Sequence, residues 1–296
     1  MPKVGRMEFN MRIAVVYICT GKYEKFWDRF YSSCEKNFYP NIKKDYFVFT
    51  ESQRIIRYES ENVNVYYQVK SGWPYDTLLR FQWFMCIQDV LKEYDYCYYF
   101  NANSELIGTV TSELIPLPDD KEPLIFWCHT LHYDDNYGET FHPERNSEST
   151  AYVPEGEMCR CYGGGFFGGT SEAFILMCKE LRDNISLDMK KGIIAVWHDQ
   201  SHIIKYGSCH AHKEVPRDLI CQEEKNPIPG KCLIVFLAKD KNGGTDSLRG
   251  SGMGKRFRHR VIKIYGKLLD ITSKFGMDKI LRNVAKKFAN RKEWYK

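Results

Sequence analysis

Residues Tyr94–Leu106 read YDYCYYFNANSEL. The aromatic-rich residues ending at Phe100 have the composition of a strand buried on both faces. Asn101, Ala102 and Asn103 then break the strand, because Asn side chains compete with the ladder for hydrogen bonds and favour turns. A buried strand that delivers short polar groups at its carboxyl end is where an open α/β sheet holds a ligand. The bland alternative is a strand followed by an Asn-rich turn.

Upstream, Met11–Cys19 (MRIAVVYIC) is an apolar run that reads as the first buried strand, with Thr20, Gly21 and Lys22 turning the chain. Tyr23–Phe38 carries Phe26, Phe30, Cys34 and Phe38 near one helical face. Strands are predicted at Lys44–Thr50 and Val63–Val69. Strand, helix, strand opens a mostly parallel sheet. A helix is predicted over Tyr75–Glu93 with Arg80 near its start, as a solvated or paired cation or as a ligand group.

Downstream, Leu124–Cys128 is a strand candidate ending at His129. Residues 130–162 show little periodicity, which suits a site or a lid. Tyr162–Gly169 (YGGGFFGG) permits close backbone approach. It matches neither dinucleotide nor P-loop spacing. A turn approached by a bulky polar ligand such as a sugar, and a tightly packed structural turn, both stay open. Thr170 is placed to cap a helix over Ser171–Asn184. In Gly192–Tyr206, His198 and His202 lie four apart, which invites a zinc hydrolase reading. Asp199 stands where that motif needs Glu, and no third ligand is evident. Paired structural histidines and a substrate-binding polar cluster are the other readings. Leu233–Ala238 is a further apolar run, and the Gly-rich segment from Lys239 to Arg249 is either a mobile flap over a phosphate or a frayed exit.

The 296 residues suffice for a sizeable core, with 43% apolar and 15% aromatic residues. Eleven scattered cysteines, an odd number, argue for reduced thiols and a cytoplasmic setting. No signal peptide or stretch of membrane-spanning length is recognised. The net charge of +5 conceals an asymmetry. Residues 251–296 hold 14 Lys/Arg against 3 Asp/Glu, whereas residues 1–250 hold 29 against 35. The chain is therefore divided into a domain at 1–250 and a basic tail at 251–296. Val261, Ile264, Leu268, Ile271 and Phe275 recur on one side of that tail, as in an amphipathic helix on the inner face of an anionic membrane. Nucleic acid is the weaker partner, since no stacking platform accompanies the charge.

Ala151–Pro154 (AYVP), Gly164–Gly169 (GGFFGG) and Ala195–Tyr206 (AVWHDQSHIIKY), supported by YFNANSEL and YFVFT, give the chain a resemblance. It resembles the retaining glycosyltransferases of the histo-blood-group A/B and α-1,3-galactosyltransferase family (glycosyltransferase family 6), and most closely bacterial members. The match runs roughly from Arg12 to Arg249. The resemblance implies a GT-A type fold, a Rossmann-like mixed α/β sheet with flanking helices, that binds a UDP-sugar. Ile18, Cys19 and Tyr23 would meet the uridine, and Arg80, Lys239 and Arg249 the diphosphate. Asn101 and Asn103 replace the Asp-x-Asp that holds Mn²⁺ in mammalian members, and amides are poor ligands for a hard cation. The implied enzyme therefore uses no metal and no cofactor, and its asparagines donate to sugar or phosphate. His129, with His132 as rival, and Trp197 would contact the acceptor. His198 and Asp199 would contact the donor sugar. Gly163 and Gly165 fall where blood-group enzymes discriminate donors, and their small size implies room for an N-acetyl group, hence UDP-GalNAc over UDP-Gal. Gln200 stands where the family has a glutamate. An amide is no ordinary nucleophile, so front-face attack with Gln200 as a dipole, a slower enzyme and a sugar-binding relative without turnover are the alternatives. The implied reaction moves GalNAc or Gal to the 3-OH of a galactose in a fucosylated glycan.

Overall fold

A computed structural model describes residues 11–58, 60–116, 121–128, 143–157, 159–215, 218–223 and 230–249. The expectations for His129, His132 and the tail at 251–296 lie outside the described residues.

The Tyr94–Leu106 stretch is the hinge of the architecture. β1 (Arg12–Ile18), β2 (Lys43–Thr50), β3 (Val63–Tyr67) and β4 (Tyr96–Phe100) run parallel. After β5 (Ser104–Leu106), β6 (Leu124–Cys128) and β7 (Tyr162–Thr170) continue the sheet with β8 (Lys213–Val215), in the order β3-β2-β1-β4-β7-β6-β8. β7 is antiparallel to both its neighbours, so the sheet is mixed. A small second sheet joins β5, β10 (Ile234–Phe236) and β9 (Ile220–Gln222). All five residues of β4 are buried, as two-sided packing requires. The chain order reverses direction across the sheet between β1 and β4, and at such a switch point the loops beyond the carboxyl ends part to leave a crevice.

The helices are α1 (Trp27–Asn37), α2 (Gln53–Ile56), α3 (Tyr75–Leu78), α4 (Arg80–Met85), α5 (Gln88–Leu91), α6 (Ser171–Lys190), α7 (Asp199–Cys209) and α8 (Thr245–Arg249). The single helix expected over Tyr75–Glu93 is three short ones. Leu78, Leu79, Phe81, Trp83, Phe84, Met85 and Ile87 are all buried, and burial on every side leaves no single stripe to pack. α6 outruns its expected end at Asn184 because Ile185 and Asp188 continue the buried face; the Thr170 cap, which accepts from Ala173 N, is where it was expected.

The glycine run is not a turn but the strand β7. Its bare positions admit neighbours that a side chain would exclude: a Cβ on Gly168 would lie 2.3 Å from a Tyr98 ring atom, and one on Gly169 2.2 Å from the Pro123 carbonyl. Phe166 and Phe167 stack on Tyr98 and Tyr99 of β4 at 6.2 and 4.9 Å. The segment after Lys239 is also ordered into a turn and α8. Lys22 Nζ donates to Ser247 Oγ and Lys70 Nζ to the Leu248 carbonyl, which ties α8 to the β1 turn. Each of the 11 cysteines is a free thiol. Among the described residues no helix is long and apolar enough to cross a membrane.

Candidate active site

A cavity of about 590 Å³ opens beyond the carboxyl ends of β1 and β4. Its lining includes Ile18, Trp73, Trp127, Gly163–Gly165 and Phe236. Of the site residues expected from sequence, Ile18, Tyr23, Arg80, Asn101, Asn103, Gly163, Gly165, Trp197, His198, Asp199, Gln200, Lys239 and Arg249 all line it. Cys19 does not. Its side chain is fully buried in the core, its backbone N–H donates to Phe49 O, and burial pushes its thiol pKa up. The alternation of β1 sends Ile18 and Cys19 to opposite faces, and Thr20 is the next residue at the cavity.

Arg80 is neither solvated nor presented freely to a ligand. It is 5% exposed, and its Nη2 lies 2.8 Å from Oδ2 of Asp199, itself 4% exposed. That contact lacks the alignment of a hydrogen bond, so charge holds the pair. Nη1 donates to the Gly164 carbonyl at 2.5 Å and Nε to Thr77 O at 3.2 Å, while the guanidinium lies over Tyr99. One cation thus joins α4, β7, β4 and the start of α7. Also in the lining, the Arg249 guanidinium sits 3.6 Å from the Trp73 ring centroid, and Trp73 meets His198 edge-on at 4.5 Å. Burial raises the Tyr23 pKa, partly offset by Arg249.

The asparagine turn spends part of its hydrogen bonding internally. Asn101 Nδ2 donates to Asn103 Oδ1 at 2.8 Å, and Asn103 Nδ2 donates to the Leu237 carbonyl at 2.7 Å. Two amides locked to each other and to a carbonyl are a poor donor set for Mn²⁺. One N–H remains on each amide nitrogen for a ligand.

His198 precedes α7 with φ +57°, in the left-handed region. It is therefore not on a helical face with His202. The His202 ring is buried, with Nδ1 3.4 Å from Thr150 Oγ1 and Nε2 3.7 Å from Asp188 Oδ2. Burial outweighs the carboxylate and lowers the His202 pKa; burial and then Arg249 lower that of His198 against the pull of Asp199. Among the described residues no group of three His, Cys, Asp or Glu could hold a metal ion. Of the readings open for this pair, the histidine at 202 is structural and the one at 198 lines the cavity.

Gln200 faces the cavity and its Nε2 donates to Cys161 Sγ at 3.5 Å, which leaves its carbonyl oxygen as the group to meet positive charge. Burial pushes the Cys161 thiol up to about 12, so it stays protonated at neutral pH. The turn bearing Trp197–Gln200 is held by Glu144, whose Oε2 accepts from Val196 N at 2.7 Å and whose Oε1 accepts from Asn146 N at 2.7 Å. Asp188, on α6, accepts from Ser149 Oγ and Thr150 N, fixing the start of the AYVP segment. These two carboxylates carry no local sequence signal, and Trp73 carried one only as a helix entry.

The room expected at Gly163 and Gly165 is not vacant. A Cβ on Gly163 would lie 2.3 Å from Trp127 Cε3, and one on Gly165 2.8 Å from Phe236 Cζ. Those two rings fill the space that the missing side chains leave.

A family model described as Glycosyltransferase family 6 matches residues 6–243. The chain is 34% identical over 196 residues to the O-antigen biosynthesis glycosyltransferase WbnI of Escherichia coli, covering 66% of this chain and 82% of that protein. It is 25% identical over 260 residues to globoside alpha-1,3-N-acetylgalactosaminyltransferase 1 of Gallus gallus, covering 80% and 69%. It is 40% identical to histo-blood group ABO system transferase 1 of Rattus norvegicus over 77 residues, which is 26% of this chain and 22% of the other.

Proposed function

The chain belongs to glycosyltransferase family 6, and on that premise we propose that it moves GalNAc or Gal from a UDP-sugar to the 3-OH of a galactose in a fucosylated glycan, with retention and without a metal ion. The observation that carries this reading is the cavity at the β1–β4 switch point, where the buried Arg80–Asp199 pair and Gln200 meet the glycine strand. Tyr23 and Trp73 supply aromatic rings that suit a nucleotide, and Arg249 and Lys239 supply cationic charge at the same cavity.

In this mechanism the anomeric C–O bond to the diphosphate breaks as the acceptor hydroxyl approaches on the same face. The bonding pair leaves with UDP, and the hydroxyl proton goes to the departing phosphate oxygen. Lys239, Arg249 and the remaining amide N–H groups of Asn101 and Asn103 stabilise the negative charge that develops. The Gln200 carbonyl presents a dipole to the positive anomeric carbon, and Asp199, fixed by Arg80, orients the donor sugar. A covalent glycosyl–Gln200 intermediate has no place in this scheme.

The test is transfer of label from UDP-GalNAc and UDP-Gal to 2'-fucosyllactose in excess EDTA, for wild type and Gln200→Glu. Wild-type transfer in EDTA is the expected result. Strict dependence on Mn²⁺ would sink the metal-free scheme. Transfer only by Gln200→Glu would make the wild type a sugar-binding relative, the alternative that the amide at position 200 keeps open.

A further inference from the structure

We propose that Trp127 and Phe236, rather than the glycines they cover, set which donor the site accepts, and that they close it to a 2-acetamido group in favour of UDP-Gal. The inference rests on the reading of the chain as a UDP-sugar transferase.

The strand Gly163–Gly165 presents two different faces. Gly164 faces the polar side, where a Cβ would lie 3.3 Å from Asp199 Oδ2, and its carbonyl accepts from Arg80. Gly163 and Gly165 face two aromatic rings. With Trp127 atoms at 2.3 and 2.5 Å from the place of a Cβ, no side chain fits on Gly163 while that ring is present. Gly165 and Phe236 form a second pair, at 2.8 and 3.0 Å. The two rings also touch each other, with centroids 4.9 Å apart and planes tilted by 44°.

Both residues line the cavity, yet Trp127 is only 2% exposed and Phe236 6%. They are packed against the glycines and against each other, so little of either ring is exposed to the cavity that they line. They are a plug and not a stacking platform. A donor sugar seated on this strand beside Asp199 meets polar groups on one side and the plug on the other. UDP-Gal and UDP-GalNAc differ only at C2, and the closed floor fits the smaller group. Trimming Trp127 adds volume continuous with the cavity, because the ring itself forms the wall.

The test is titration of wild type, Trp127→Leu, Gly163→Ala and the double variant with UDP, UDP-Gal and UDP-GalNAc, reading affinity so that slow turnover does not matter. Wild type should favour UDP-Gal. Trp127→Leu should move the ratio toward UDP-GalNAc by roughly 10–100-fold, with UDP affinity unchanged because UDP carries no hexose. Gly163→Ala alone should fail to fold or to bind sugar donors, and the double variant should bind again with the ratio moved back. Should Trp127→Leu not fold, Phe236→Leu should give a shift in the same direction. Unchanged ratios with intact UDP binding, or a wild type that prefers UDP-GalNAc, overturn the inference and leave the transferase reading standing. No UDP binding by wild type overturns both.

Discussion

Two turns border the cavity, and they are held in different ways. The one after β4 is closed largely by bonds among its own residues. Ser104 N and Oγ both donate to the Asn101 carbonyl, and the two asparagine side chains are bonded to each other. The turn before α7 is held from afar. His198 sits at φ +57° and ψ −128°, a conformation that costs roughly 1–3 kcal/mol for a residue with a side chain. It persists because Glu144 holds Val196, Ser201 Oγ caps the Trp197 N–H and Arg80 holds Asp199. The asparagine turn adds outside anchors to its local bonds, since Tyr17 Oη donates to the Ala102 carbonyl, Asn101 N to Gly165 O and Leu237 N to Asn103 O. The strained one exists only in the folded protein, and it is the one that carries Gln200.

If that contrast is right, the largest loss comes from cutting a remote tether. Arg80→Leu leaves Asp199 charged and buried without its cation, and breaking such a pair costs about 3–5 kcal/mol. Adding Asp199→Asn should recover part of the loss, since the uncompensated charge is then gone. Urea unfolding measures both. Asn101→Ala, in the local turn, should cost only about 0.5–1.5 kcal/mol for its hydrogen bond. Equal losses from Arg80→Leu and Asn101→Ala would abolish the distinction between the turns.

The next effect is on chemistry more than on stability. Glu144→Ala removes the acceptor of two backbone N–H groups on the exposed residues Val196 and Asn146, where water can replace it, so each bond contributes about 0.5–1.5 kcal/mol. Glu144 holds the cavity-lining Val196 through its backbone N–H, so it is a positioning residue. Released at Val196, the turn loses the orientation of Trp197–Gln200, and kcat should fall further than donor affinity does. Glu144→Gln keeps one carboxyl-type oxygen and should fall between wild type and Ala. A folded Glu144→Ala enzyme with wild-type kcat would show that α7 positions Gln200 unaided.

The same contrast explains what the sequence disclosed. Strand β4 and the asparagine turn could be read from consecutive residues, because aromatic composition and Asn chemistry act locally. The glycine run could not. Its residues have turn composition, and its antiparallel pairing with β4 and β6, with rings of Tyr98, Trp127 and Phe236 lying where side chains would stand, is not visible in consecutive residues. Most residues expected at the site do line the cavity, since the motifs marked them. Of their supports, Glu144 lies in a segment without periodicity and Asp188 in the last turn of α6, and a buried carboxylate looks like any other until its N–H partners are placed. The Cys19 side chain turns away from the cavity, because a strand sends successive side chains to opposite faces.

A smaller effect separates the turns by pH. His198 and His202 lie in or beside the strained turn, and burial lowers the pKa of both below the ordinary imidazole value near 6.5. His202 faces the carboxylates of Asp188, Asp199 and Glu144, which pull its pKa up but do not overcome burial; His198 faces Asp199 and the opposing Arg249. The sign follows from linkage. As pH falls, the unfolded chain takes up protons before the native one does, so this stability is complete above the ordinary value and is lost as pH drops toward the lowered native ones. The slope cannot exceed about 1.4 kcal/mol per pH unit for each histidine. No titratable side chain occurs within Asn101–Ser104. Between pH 7.5 and 5.5, amide protection corrected for intrinsic exchange should therefore fall at Val196 and Trp197 and hold at Asn101 and Ser104. His202→Gln should flatten the fall at Val196. Parallel loss at all four amides would mean that acid loosens the sheet as a whole, and that the tethered turn is no more sensitive than the asparagine turn.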